Sequence, residues 1–587
     1  MGGVNIQQLF DDAARQHQAG QLREAERAYR QVLQAQPAHA DALHMLGVVN
    51  AQVGNYDAAA ALIRRAIEIS PANAGYHANL GNVLQESGQL DDAVAAYRRA
   101  LALAPNLAEV YNNLANALQH RGDIEQAVSA YERATTLRPD FPEAHFNRGN
   151  ALQKLQRSKD AIAAYRQALA LRPSYAEAHL HRGMALFGNA DVEGAIDAYR
   201  KALELRDDFV EAHANLGRAL LQVSRQDEAI AAFRRALILR PNQADVEHEL
   251  GNALREAGKL DEAIAAYQRS LATRPDFADS HFGLAWTYLL KGDFERGWAE
   301  YEWRSGLRDA ALWARHLAEP RWDGAELHGR RILLHAEQGF GDTFLAFRYV
   351  PMVLARSGRV VLQCPRPMLG LLGGQRGIEQ AIEDGQPPPA IDVQCPLMSL
   401  PGVFATTLAT IPADVPYIFA EPGMIEQWRE RLGKPQGLQV GLVWSGKPAP
   451  ANRSVALEAL APLAGIGNVR WHSLQVGDAA AAARTPPPGM ELLDWSDRLT
   501  DFAQTAALIA NLDLVITIDT AVAHLAGAMG KPLWVMLQYV PDWRWLLHRS
   551  DSPWYPTMRL FRQPRPGDWG AVASQIATAL RSLLERQ

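Results

Sequence analysis

The chain has 587 residues, a net charge of −6 and only two cysteines, Cys364 and Cys395. The length calls for two or three domains. An acidic balance without a long basic run argues against a nucleic-acid partner, and two cysteines build no disulfide framework, which fits a reducing compartment. The opening MGGVNIQQLFDDAARQ has acidic residues where a signal peptide has its apolar core. No apolar run approaches the roughly 18 residues that read as a membrane span. The expectation is a cytoplasmic protein with no membrane span.

In chain order, the first signal is a proline that returns every 34 residues: Pro37, Pro71, Pro105, Pro139 and Pro173, then Asp207 in the same slot, then Pro241 and Pro275. A sustained period of this length predicts helix pairs stacked one on the next. Within the periods Leu-Gly, Ala, an aromatic residue, Ala and Pro recur in most copies, as in Leu80-Gly81, Ala93, Tyr97, Ala100 and Pro105. The glycines of this series, Gly47 to Gly251, let two helices approach, and the aromatics, Tyr29 to Tyr301, fill the grooves. Gly54, Gly88, Gly122, Gly258 and Gly292 fall where the chain must turn. About nine units start near residues 6, 40, 74, 108, 142, 176, 210, 244 and 278. The pattern resembles tetratricopeptide repeats over half the chain.

A second series runs inside the first. Asn79, Asn113, Asn147 and Asn215 share one slot, with His181 and Glu249 in the gaps. One slot at one period lies on one face of the stack. The asparagine amides, each donor and acceptor, either grip the backbone of an extended protein or peptide acceptor or bond the neighbouring repeat. The array resembles that of the eukaryotic O-GlcNAc transferase in this ladder, which implies an acceptor groove.

Composition shifts after the repeats: 25 of the 33 prolines lie beyond residue 311, and all 14 tryptophans lie at or after Trp286. Trp286 to Trp322 is therefore a transition, with Trp298, Trp303 and Trp313 expected at an interface. From 330 onward, short apolar runs alternate with amphipathic stretches, the pattern of α/β layers. Strands are predicted at 331–335 and 360–363. After a loop-rich stretch (387–420), a short helix (423–432) and a linker, they resume at 440–444, 469–474, 514–518 and 533–537. Two open α/β units in series make a cleft, with ligands outside the carboxyl ends of the strands.

The sharpest local signal spans Ile516 to Pro532. A buried strand ends at Asp519-Thr520, both good N-cap residues, and a helix rich in small residues runs to Gly530. Its free N–H groups suit a diphosphate. The stretch DTAVAHLAGAMGKP resembles the donor-site motif of lipopolysaccharide heptosyltransferases and related GT-B glycosyltransferases, and EQGFGDTFLAFRYVP resembles their opening strand–loop–helix. The resemblance extends to bacterial O-GlcNAc-transferase-like and flagellin glycosyltransferases. It covers roughly residues 330–580 and implies a nucleotide-sugar donor. The first α/β half is short for the heptosyltransferases, which favours an acceptor delivered by the repeats, with a bacterial protein such as flagellin expected over a glycan.

Transfer from a nucleotide sugar needs a base for the acceptor and donors for the departing phosphate. The resemblance puts the catalytic aspartate at Asp342, which a helix N-cap would equally explain; Glu337 is the reserve. It also places a phosphate-binding lysine at Lys447, beside Ser445 and Arg453. Asp519, Thr520, Ala521 and His524 belong to the donor helix, although a buried histidine is as often structural. Gln475 and Asp494 end neighbouring strands and are candidates for base and ribose contacts. Trp543, Trp545, Trp554 and Tyr555 read as core beneath a C-terminal helix with the stripe Val572, Ile576, Leu580, Leu583.

Gly339-x-Gly341 lacks the third glycine of the dinucleotide fingerprint, and no Walker loop appears. With no clustered His/Cys or Asp-x-Asp set, no metal and no cofactor beyond the donor substrate are expected. The sequence thus predicts a multidomain chain: an all-α tetratricopeptide superhelix (6–311), an acceptor-side Rossmann-like half (320–420), a nucleotide-sugar-side half (437–565) and a C-terminal helix (570–587). The expected function is a metal-independent, inverting GT-B glycosyltransferase acting on a protein. A non-catalytic scaffold with a degenerate body, or a lipopolysaccharide-modifying enzyme, are the alternatives.

Overall fold

The computed structural model describes residues 5–312, 317–446 and 453–586. By internal contacts these form two compact units, one ending at Pro241 and one beginning at Asn242. The first holds seven helix pairs, from Ile6–Gln18 with Leu22–Ala35 to Val210–Gln222 with Gln226–Leu239. The second holds two further pairs, ending with Ala278–Lys291 and Phe294–Tyr301, together with two parallel β-sheets. Among the described residues no helix is long and apolar enough to cross a membrane.

The repeat signature has a direct packing cause. A Cβ on Gly81, Gly149, Gly183 or Gly251 would lie 2.5–2.6 Å from the ring of Tyr97, Tyr165, Tyr199 or Tyr267. Each glycine therefore seats the aromatic of its own repeat's second helix, where any larger residue would overpack. The proline slot also acts through its backbone. His145 and His179 place Nε2 3.0 Å from the carbonyls of Pro139 and Pro173. His213 does the same to Asp207 at 2.8 Å, so the slot tolerates loss of the proline ring.

The turn between paired helices needs a left-handed residue. Gly54, Gly88 and Gly122 supply it at φ 83°, 78° and 98°, whereas Ala190 is held at 62° in the same slot. A side chain in this region costs roughly 1–2 kcal/mol. Ala190→Gly is therefore expected to stabilise the array by about 1 kcal/mol, net of glycine's greater unfolded-state entropy, read as a higher denaturation midpoint.

The first sheet has β1 (Arg331–His335), β2 (Arg359–Cys364), β3 (Ile378–Glu383) and β4 (Val393–Pro396) in the order β3-β2-β1-β4. The second has β5 (Leu438–Val443), β6 (Val469–Ser473), β7 (Leu492–Asp494), β8 (Leu514–Ile518), β9 (Leu533–Leu537) and β10 (Met558–Arg562), in the order β10-β9-β8-β5-β6-β7. All pairings are parallel. This is the doubly wound arrangement of a dinucleotide-binding sheet, with its switch point between β5 and β8. Both strands are buried along their whole length, as a sheet covered on two faces requires. The chain is thus an all-α repeat stack followed by an α/β body of two Rossmann-like halves. The C-terminal helix (Trp569–Leu584) buries Val572, Ile576 and Leu580 against the second sheet.

The transition differs in part from expectation. Trp298 is buried, donates from Nε1 to the Thr406 carbonyl at 3.0 Å and meets Trp543 edge-on at 5.2 Å. Trp303 is not interface core: it is 39% exposed and stacks on His281 at 3.9 Å. Trp313 lies outside the described residues. The stretch 387–420 is less irregular than predicted, because β4 sits within it.

Candidate active site

The site is assembled from three segments at the carboxyl ends of strands. The first follows β1. After His335 the chain turns through Gln338, at φ 63°, into the helix Phe340–Ala346. Asp342, in the first turn, accepts the Gly339 N–H at 2.8 Å through Oδ2. One oxygen therefore does cap the helix. The other, Oδ1, accepts from Arg544 Nη2. Glu337 lies elsewhere: it is 7% exposed and accepts from Arg304 Nε at 3.0 Å. Burial raises its carboxyl above the usual range, although Arg304 opposes the shift. Glu337 is thus bound in an ion pair that ties β1's loop to the last repeat, and Tyr301 adds a hydroxyl bond to Gln338 Oε1 at 2.8 Å.

The second segment is the strand–helix junction at β8. Thr520 precedes the helix Ala521–Ala528, and its hydroxyl lies 3.0 Å from that of Thr517. His524 is 3% exposed and stacks on Trp545 with ring centres 5.1 Å apart. A Cβ on Gly341 would fall 2.7 Å from its Cδ2, so the two helices meet closely only because position 341 is glycine. Burial, then Arg544, Arg348 and Arg453, hold the imidazole well below its ordinary pKa, so it is neutral. Tyr417 donates its proton to the Phe344 carbonyl at 3.0 Å. The Tyr555 hydroxyl lies 2.9 Å from Nδ1 of His524. Nε2 lies 3.9 Å from Asp519 Oδ1. Burial raises the Asp519 carboxyl to about 6; Asp542 adds to the shift while Arg453 and Arg544 oppose it.

The third segment is the loop after β5. Gln475, buried beyond β6, accepts the N–H groups of Trp444 at 3.2 Å and Ser445 at 2.9 Å and so fixes the turn. The Ser454 hydroxyl accepts the Gly446 N–H at 3.1 Å. Arg453 brings Nε to 3.9 Å from Asp519 Oδ2, and that Nε is buried without a hydrogen-bond partner. Lys447 lies outside the described residues.

The structure therefore brings Asp342, Asp519 and His524 together, with Arg453 at Asp519. Thr520 and Ala521 open the same helix, and Ser445 stands at the end of β5 beside the switch point. It does not bring in Asp494, which is exposed on the edge strand β7, two strands from β5, and caps its own turn through Ser496 N–H at 2.9 Å. Sequence reasoning missed Asp542 and Arg544. The one available signal was a pair of charges inside an aromatic run, Asp542-Trp-Arg-Trp545, where charge would be buried. Trp543, Trp545, Trp554 and Tyr555 are fully buried, as core residues should be.

In the repeats, the asparagine ladder bonds across neighbours. Asn79 Nδ2 lies 2.8 Å from His44 Nε2, and Asn113 and Asn147 donate to Asn82 and Asn116 at 3.0 and 3.4 Å. His181 packs edge-on to Phe146 at 5.2 Å, and Asn215 accepts from Arg218 at 3.0 Å. Three residues further on runs a half-buried row the sequence reading had not singled out: Asn82, Asn116 and Asn150, which accept from the hydroxyls of Tyr97, Tyr131 and Tyr165. Met184 continues this row at 42% exposed.

Comparison with known proteins follows the same division. Tetratricopeptide repeat families match residues 11–74, 73–140, 112–176, 146–208, 183–244 and 251–292. Glycosyltransferase family 9 (heptosyltransferase) matches residues 499–536, the stretch that holds β8, Asp519, Thr520 and His524. Protein FlbA of Caulobacter vibrioides is 27% identical over 328 residues, covering 51% of this chain and 54% of FlbA. The chain thus spans about half the length of that curated relative. Among solved structures, MamA is 24% identical over 29% of this chain and 93% of its own, with a TM-score of 0.28. YrrB, described as a TPR protein with an unusual peptide-binding site, is 22% identical over 32% and 95%, at 0.30. The C-terminal part of a TPR repeat-containing protein from Cytophaga hutchinsonii is 19% identical over 41% and 99%, at 0.37. The chain is a fusion of tetratricopeptide repeats with a body that carries the glycosyltransferase family 9 signature.

Proposed function

We propose that the chain is a GT-B glycosyltransferase that moves a sugar from a nucleotide donor to a protein held by its repeats, by metal-independent inversion. The observation that carries this reading is the placement of the family 9 stretch. It forms β8 and the helix behind it at the switch point of a doubly wound sheet, and it faces Asp342 of the other half across the contact of Gly341 with His524. The helix offers free N–H groups to a phosphate. Neutral His524 stands in the same helix, and Arg453 adds an unpartnered Nε. Asp342 acts as the base on the acceptor hydroxyl. A base on one side and anion donors on the other are what direct displacement at the sugar carbon requires.

The repeats contribute the acceptor side. The row Asn82, Asn116 and Asn150 recurs at the repeat period, so it presents like groups at regular intervals, as an extended backbone does. A protein of the flagellar or cell surface, modified in the cytoplasm, is the acceptor we favour.

The test of the donor site is a thermal-shift panel of UDP, GDP, CMP, ADP and their sugars on the full chain. One nucleotide is expected to raise the melting temperature, because a ligand that binds only the folded state stabilises it. No shift with any of them would remove the reading. Lys447→Ala with Arg453→Ala is expected to weaken the active nucleotide about tenfold or more, the scale of losing charge-assisted phosphate bonds. Unchanged affinity would exclude both residues.

A further inference from the structure

The donor reading gives no role to Arg544, a buried cation beside Asp342. Arg544 stands in the loop beyond β9, next to β8, and is 6% exposed. Its Nη1 and its backbone N–H both donate to Asp542 Oδ1, at 2.7 and 3.0 Å. Its Nη2 donates to Asp342 Oδ1. Its Nε–H is buried with no hydrogen-bond partner. An unmatched buried donor on a charged group is costly and points to an acceptor that completes the site. Arg453 Nε is in the same condition, 3.9 Å from Asp519, the third carboxylate that acts on the Arg544 guanidinium after Asp542 and Asp342. Two arginines with open N–H groups, one bonded to Asp542 and Asp342 and the other 3.9 Å from Asp519 at a helix N-terminus, form an anion site with more donors than its carboxylates use.

Resting on the donor reading above, we propose that Arg544 is a catalytic residue that exchanges Asp342 for the departing phosphate of the nucleotide sugar. In the step, the acceptor hydroxyl gives its proton to the Asp342 carboxylate, and the acceptor oxygen forms the new bond to the sugar carbon. The bond from that carbon to the phosphate oxygen breaks, and the nucleoside diphosphate leaves with the electron pair. Asp342 loses one negative charge as the leaving group gains one. Arg544, held by Asp542 throughout, follows the charge from the first to the second. The ion pair seen here is the resting position, in which Arg544 keeps the base occupied until a donor arrives.

The idea makes opposite demands on the two partners. In the full-length protein, calorimetric titration with inorganic pyrophosphate, UDP and GDP should show at least one of them binding. Arg544→Lys keeps the charge but loses the planar fork, and should weaken that binding about tenfold or more. Asp342→Asn removes the competitor for the guanidinium, and should tighten it about threefold or more. Wild-type affinity in Arg544→Lys, or unchanged or weaker affinity in Asp342→Asn, overturns the exchange while leaving the donor site in place. A wild-type protein that binds none of the three removes the donor reading itself, and the exchange with it. Should Arg544→Lys fail to fold, judged by its thermal unfolding, the direction of the Asp342→Asn effect decides alone.

Discussion

Asp342→Asn is expected to lower sugar transfer about a hundredfold or more, the usual scale for losing a positioned base. The replacement keeps size and shape. Its amide oxygen still accepts the Gly339 N–H that Asp342 Oδ2 accepts at 2.8 Å, so the helix start survives. Arg544 retains Asp542 at 2.7 Å, so no cation is stranded. Folding should therefore be close to normal and donor affinity at least retained. A fall in turnover number without weaker donor binding marks an interaction made in the transition state. Steady-state kinetics on the purified variant separate the two quantities. Near-normal turnover would exclude Asp342 as the base.

The second large effect concerns where the body begins. Composition suggests a cut near residue 312, after the repeats. The structure predicts that such a piece will not fold. It would lose Arg304, which is 2% exposed and donates to the buried Glu337 at 3.0 Å. Breaking a buried pair by removing one partner costs about 3–5 kcal/mol. It would also lose Trp298 and Phe294, uncovering Trp543 and Trp554, which pack on them at 5.2 and 5.8 Å. A piece starting at Asn242 keeps these contacts and is expected to unfold cooperatively and to bind the same nucleotide as the full chain. Soluble yield and thermal unfolding of the two pieces decide the matter; a stable, nucleotide-binding piece from 312 would contradict it.

The repeats were legible because each carries its own local rule. Leu-Gly, an aromatic and a turn glycine, each present in most periods, locate both helices, and all nine pairs start where the period puts them. Buried strands such as β8 and β9 were equally plain, being short apolar runs. β3 and β7 were not: Ile378–Glu383 (IEQAIE) has neither a continuous apolar run nor a strict alternation, and Leu492–Asp494 is a three-residue edge strand. In the site, Asp519 and His524 were visible because they lie within one strand–turn–helix motif. Arg544 was not, because its meaning depends on Asp342, 202 residues away. The asparagine ladder shows the reverse limit. Its period was clear, but the partner each amide bonds is set by three-dimensional spacing, and Asn79, Asn113 and Asn147 bond the adjacent repeat.

The most direct test is transfer itself. The full chain is incubated with radiolabelled UDP-, GDP-, CMP- and ADP-sugars and a soluble protein extract, and label in protein is counted. The prediction is that one donor labels protein, that Asp342→Asn abolishes most of the label, and that free nucleotide appears in step with it. No label and no nucleotide release from any donor, by a folded protein, would contradict the account and leave a repeat scaffold with an inactive body.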